Sequence, residues 1–172
     1  NYQNNDINKD TFLLFIRCIN EGSIEFDFQQ RFELLRLCLD FNYTKLLDKI
    51  KESFKETSDD CEYEKIIQNI KKLSEQEENY QKMIELEDII ASNFEHAIHF
   101  KEQLGNLPLK VLYQIINNKF FKFNLNENDN ENLFIEFIIS QMAKYGRKAN
   151  ALLTRYRFTD FSHENLNRLL KQ

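Results

Sequence analysis

The chain has 172 residues, 42% of them hydrophobic and 13% aromatic, which is material for one good core or two small ones. Three glycines and one proline are too few for a phosphate-cradling glycine loop or a turn-rich sheet, and the abundance of Leu, Ile, Lys, Glu and Gln favours long helices. The net charge of −5 divides into −9 over residues 1–106, from 13 basic and 22 acidic side chains, and +4 over residues 107–172, from 10 basic and 6 acidic ones; the chain as a whole is poorly suited to tracking a phosphate backbone.

Residues 1–9 are polar, and Asp10 or Thr11 is expected to cap a helix through Asn20 whose apolar positions Phe12, Phe15, Ile16 and Ile19 follow helical spacing. Glu21-Gly22 ends it. Ser23 to Phe28 alternates apolar and polar residues and predicts one short extended connector. From Gln29 to Asp40, Phe32, Leu35 and Leu39 form a stripe widened by Leu34, Leu37 and Cys38, which predicts a core helix. A partner helix over Thr44 to Phe54 follows, with Leu46, Leu47, Ile50 and Phe54 on its buried face, so the two form a hairpin. The polar run from Glu56 to Asp60 marks a boundary, and Ser58 or Asp59 is placed to cap the next helix.

Ile66, Ile67, Ile70 and Leu73, then Tyr80, Met83, Ile84 and Leu86, keep a narrow apolar stripe interrupted by the acidic cluster of Glu75, Glu77 and Glu78; a helical hairpin and one long bent helix fit this equally well. A helix carrying Ile89, Ile90, Phe94, Ala97 and Ile98 is expected to end at Gly105 as its C-cap, and Pro108 to open the next helix from its first turn. Lys119 to Asn132 reads as a Phe-rich, then Asn-rich loop. An apolar helix from Leu133 to Tyr145 ends at Gly146, and two more helices occupy 147–156 and 163–171, the last with Ser162 as N-cap.

Chemistry-bearing groupings are sparse. In the run Glu95-His96-Ala97-Ile98-His99 with Glu102, helical spacing places His99 near both His96 and Glu102, offering two imidazoles and a carboxylate to a metal, but a solvated helix face is the favoured explanation, and no metal or other cofactor is expected. Cys18, Cys38 and Cys61 lie about twenty residues apart with no CxxC, which suits a reduced intracellular protein better than a disulfide framework or zinc knuckle. Carboxylate pairs such as Asp59-Asp60 and Glu77-Glu78 lie in polar runs. No apolar run approaches the roughly 20 residues needed to span a bilayer, so no membrane partner is expected. Lys144, Arg147, Lys148, Arg155 and Arg157 form a basic cluster interleaved with Tyr145 and Tyr156. It is the candidate partner-binding surface for an acidic protein or, second to that, for nucleic acid, against the plainer and favoured reading that such residues complement helix C-termini. Phe120, Phe121 and Phe123 are read as core, because exposed aromatic clusters are rare on stable monomers.

One ordered set of motifs runs from Leu86 to Leu170. It contains Leu86-Glu-Asp-Ile-Ile-Ala-Ser-Asn-Phe94, Leu107-Pro-Leu-Lys-Val-Leu-Tyr-Gln-Ile-Ile116, Leu133-Phe-Ile-Glu-Phe-Ile-Ile139, and Tyr156-Arg-Phe-Thr-Asp-Phe-Ser-His-Glu-Asn-Leu166. This order resembles the BACK domain, the helical module that follows BTB domains in ubiquitin-ligase adaptors and related scaffolds. Phe32-Glu-Leu-Leu-Arg-Leu-Cys-Leu-Asp-Phe-Asn-Tyr-Thr-Lys-Leu-Leu47, after the Glu-Gly-Ser-Ile turn, resembles the second half of a BTB domain.

These resemblances imply an all-α chain: a partial BTB-like segment at 10–55, a helical linker at 56–84 and a BACK-like domain at 85–172, with Asn93, Phe94, Leu107, Pro108, Arg157 and Phe158 as structural motif residues. They imply a non-enzymatic cytoplasmic scaffold or adaptor whose partners are a cullin or a copy of itself; filament or assembly subunits are the partners of a second reading, in which the basic end meets an acidic surface. A structural component of a cytoskeletal or ciliary assembly is the alternative. The N-terminal BTB strands, the segment that usually meets cullin and any downstream repeat domain are missing from this sequence, and the opening Asn1 in place of Met is expected of an excerpt from a longer protein.

Overall fold

The computed structural model describes residues 8–22, 27–55, 60–75, 80–127 and 129–171, and they are all-α, with helices and no strand among them. The chain forms two compact units, residues 1–58 and 59–172.

The first unit holds α1 (Lys9–Glu21), α2 (Phe28–Asp40) and α3 (Thr44–Lys55), with α2 packed on both of the others. The cap of α1 is Asn8, whose Oδ1 accepts the Asp10 N–H at 3.0 Å, and not Asp10 or Thr11. Thr11 instead turns inward, buried, and its hydroxyl donates to Glu33 on α2. Gly22 ends α1 at φ +79, a left-handed geometry that costs glycine nothing, with its N–H on the Cys18 carbonyl. Residues 23–26 of the expected extended connector lie outside the described residues. Asp27 is extended and caps α2 reciprocally with Gln30, and Phe28 is already helical. Leu34, Leu35, Leu37 and Cys38 of α2 and Ile50 and Phe54 of α3 are fully or almost fully buried, each large aliphatic contributing about 1.5–3 kcal/mol. Asn42, at φ +53, makes the turn between the two helices.

The second unit opens with α4 (Asp60–Ser74) and α5 (Tyr80–Ser92), which pack on each other and so form a hairpin. The stretch read from sequence as a linker over 56–84 therefore contributes to this unit's core: Tyr63, Ile66, Ile67, Ile70 and Met83 are buried, and α4 also packs on α7 (Lys101–Gly105). The single helix expected through Asn93 is interrupted there. Asn93 Nδ2 donates to the Ile89 carbonyl at 3.2 Å, and the Asn93 carbonyl accepts from His96 and Ala97, so the chain restarts as the short α6 (Phe94–Ala97), a 3₁₀ turn over Ile98–Phe100 and α7. An asparagine amide that bonds the backbone one turn back is a recognised competitor of helix continuation.

Gly105 is the last residue of α7 rather than a left-handed cap. Its use is spatial: a Cβ there would lie 2.8 Å from Gln141 Nε2 of α9 (Asn130–Tyr145). Pro108 precedes α8 (Leu109–Ile116) by one residue, with its carbonyl accepting from Val111 and Leu112. Helix α9 starts three residues before the expected Leu133, because buried Asn130 donates to the Asn124 carbonyl and anchors the first turn. Gly146 ends α9. The helix expected over 147–156 is a 3₁₀ helix over Gly146–Leu153, which packs on α9 and α8. A 3₁₀ turn at Phe158–Asp160 then leads to α10 (His163–Leu170) on α9, capped by Ser162 as expected.

Candidate functional site

A chain of aromatic rings runs through the second unit and ends at its C-terminal face. Fully buried Phe94 meets Phe121 and Phe123 with ring centroids at 4.8 and 5.3 Å; Phe123 meets Phe134 at 5.7 Å, and Phe134 meets Tyr156 and Phe161 at 5.1 and 6.5 Å. The loop that supplies Phe121 and Phe123 is tied down on both sides, by Lys122 N–H donating to the Ala91 carbonyl and Asn124 N–H donating to Glu95 Oε1. Of the three loop phenylalanines read as core, Phe121 is buried, Phe123 half-buried and Phe120 45% exposed.

Tyr156 and Phe161 have a second role. With Met142, Leu153, Leu166 and Leu169 they line an open groove of about 860 Å³, which Phe158 and Leu170 border at 70% and 79% exposure. The walls are the 3₁₀ helix on one side and α10 on the other. Along the 3₁₀ helix, Arg147, Asn150 and Leu153 are three residues apart, a spacing that stacks side chains on one face of this helix type, and all three line the groove. On the floor, Tyr156 and Phe161 pack edge-on to each other with ring centroids 5.8 Å apart. Burial raises the Tyr156 phenol above its usual value, so the group stays neutral, with its O–H 3.4 Å from the Phe123 carbonyl. Such a surface, concave, largely apolar and bordered by exposed hydrophobic side chains, suits the apolar side chains of another molecule.

The basic cluster divides in two. Lys144 Nζ donates to the Gly105 carbonyl at 2.8 Å, and Arg155 Nη1 donates to the Ile116 and Asn118 carbonyls at 3.2 and 3.0 Å while its guanidinium lies over the Phe121 ring at 4.9 Å. Both are occupied in closing the ends of α7 and α8. Arg147, Lys148 and Arg157 are exposed, and of these Arg147 lines the groove. Among the motif residues, Phe94 and Leu107 are fully buried and Asn93 half-buried. Pro108, Arg157 and Phe158 are exposed. The 3₁₀ turn that directs Phe161 inward leaves Phe158 at the lip of the groove, so its contribution is to surface and not to core.

His96 lies against Tyr63, with ring centroids at 4.6 Å, His99 is exposed, and no group of three metal-ligating side chains forms among the described residues. Cys18 and Cys38 are buried, and burial pushes the Cys38 thiol up to about 12, which leaves it protonated and inert at neutral pH; the Cys61 side chain lies outside the described residues. Sequence reasoning missed Glu87, a carboxyl on α5 only 3% exposed, with Oε1 lacking a hydrogen-bond partner among the described residues. Burial, aided by neighbouring Asp88 and opposed by Lys110, raises its pKa to about 7. Its position beside Leu86, inside the apolar stripe, was the only available signal.

No family model matches the sequence, and no curated protein or solved structure matches it. No described helix is long and apolar enough to cross a membrane.

Proposed function

We propose that this chain is a non-enzymatic protein-interaction scaffold, cytoplasmic, in which the second unit presents a docking groove to another protein. The observation that carries this reading is the pairing of Phe158 and Leu170, 70% and 79% exposed, at the border of an open apolar groove whose floor is fixed by the buried aromatic chain. Large apolar side chains held that far into solvent around a concavity are costly to solubility and are characteristic of binding surfaces.

The BTB–BACK resemblance narrows the proposal to an adaptor, with ubiquitin-ligase substrate recruitment through a cullin as its most specific form. Two of its motif residues, Phe94 and Leu107, being fully buried is in keeping with it. The alternative, a structural component of a cytoskeletal or ciliary assembly, draws on exposed Arg147, Lys148 and Arg157, which suit the acidic surface of a filament.

Affinity purification of the full-length protein from its own cells, beside a Phe158→Asp/Leu170→Asp variant, tests both. A cullin with its ring-finger partner, recovered by the wild type, supports the adaptor; tubulin or other filament proteins support the structural role. Identical partners from both proteins would remove the groove from the account.

A further inference from the structure

Resting on the reading of the groove as a docking surface, we infer that it selects a short partner segment carrying a carboxylate beside two or more large apolar side chains, and that Arg147 receives the carboxylate. Among the lining residues Arg147 alone carries a formal charge. Its guanidinium is exposed and makes no hydrogen bond or ion pair among the described residues. The neighbouring cations differ: Lys144 and Arg155 bond backbone carbonyls, and Arg168 bonds Asn132 and Asn165 and pairs with Glu136.

The acids of the region are engaged in the opposite sense. Asp160 accepts the Arg157 N–H, Glu131 accepts the Ser162 N–H, and Glu136 pairs with Lys101 and Arg168. Glu164, exposed in the first turn of α10, does not line the groove. The groove therefore offers an uncompensated cation to whatever fills it. Arginine rather than lysine suits this task, because its planar fork grips a carboxylate through two parallel hydrogen bonds.

The row Arg147, Asn150, Leu153 orders the recognition. It passes from cation to amide to hydrocarbon along one wall, so an occupant lies with its carboxylate toward Gly146 and its apolar side chains over Leu153, Phe161 and Leu169. Apolar burial supplies the affinity, while the charge supplies direction and discrimination.

The test is selection from a random linear peptide library displayed on phage, against the intact chain, with counter-selection on the Phe158→Asp variant. Phe158 and Arg147 are both exposed, and circular dichroism of each variant checks that the fold is kept. Expected are peptides lost on Phe158→Asp that enrich Asp or Glu next to Leu, Ile, Phe or Met. For such a peptide, exchanging its acid for the amide should weaken binding about two- to fivefold, Arg147→Gln should do the same, and the two together should cost little more than either. Selection against Arg147→Glu should return Lys or Arg in place of the acid.

Phe158-dependent peptides without acidic enrichment, and indifferent to Arg147, would overturn this inference while leaving the docking groove in place. Absence of Phe158-dependent peptides would overturn both, as would a dimer in sedimentation that Phe158→Asp dissolves, since the occupant would then be a second copy of this chain.

Discussion

Phe94 and Phe158 belong to the same aromatic-rich half of the second unit and have opposite fates. Phe94 is fully buried, with Phe121 and Phe123 packed on its ring; Phe158 is 70% exposed at the groove. Tyr156 and Phe161 link the two regions, touching the core through Phe134 and lining the groove with their other surfaces. The lesson is that rings shared between a packed core and a concave apolar face give a partner a preformed floor on which to dock without reordering the module.

The strongest way to break this contrast is to truncate both rings. Phe94→Ala should cost about 3–5 kcal/mol in urea denaturation, from the lost burial and the cavity it leaves. Phe158→Ala should change stability by less than about 0.5 kcal/mol. Comparable losses would mean that the groove is part of the core.

Next in size is Glu87. With a pKa raised from 4.5 to about 7 in the folded state, the protonated carboxyl is the form that fits. Its favourable share of stability is fully present below the unfolded-state value, falls as pH rises between the two values, and is gone once pH passes the folded one. Stability should therefore drop by about 1–3 kcal/mol from pH 4.5 to 7.5 on account of this residue, and Glu87→Gln should flatten that part of the profile and stabilise the protein at pH 7.5. An unchanged profile in the variant would place the titration elsewhere.

The two arginines Arg155 and Arg147 sharpen the comparison at smaller magnitude. Arg155→Ala should lose about 1–2 kcal/mol, because two carbonyls and the Phe121 face lose their partner. Arg147→Ala should alter thermal stability by less than about 0.5 kcal/mol. Charge reversal at Arg147 and Lys148 should accordingly leave folding intact and weaken binding, whereas adding a reversal at Arg155 would confound the two.

The helices were legible wherever apolar spacing was regular. Leu46, Leu47, Ile50 and Phe54 on α3, and Ile66, Ile67 and Ile70 on α4, are buried as their periodicity requires. Three of the misreadings fell where one polar side chain decides the local path. Asn8 caps α1 two or three residues earlier than expected, Asn93 splits a helix that periodicity would continue, and Asn130 starts α9 ahead of its apolar run. In a chain rich in asparagine, these residues compete with the backbone at many positions, and spacing alone does not say which ones win.

The candidate site was half legible. The basic cluster was visible as composition, but which cations are occupied depends on carbonyls about 40 residues away in sequence, at Gly105, Ile116 and Asn118. The groove itself was hidden, because Phe158 and Phe161 look equivalent in sequence and only the 3₁₀ turn between them sends one outward.

The most direct test of the central claim is in-cell photocrosslinking with a photoreactive phenylalanine analogue placed at Phe158, beside the same analogue placed at Tyr113, an exposed position on α8 outside the groove. The account predicts a discrete crosslinked protein adduct from position 158, absent from position 113 and diminished by Leu170→Asp. Equal labelling from the two positions, or none from position 158, would contradict it.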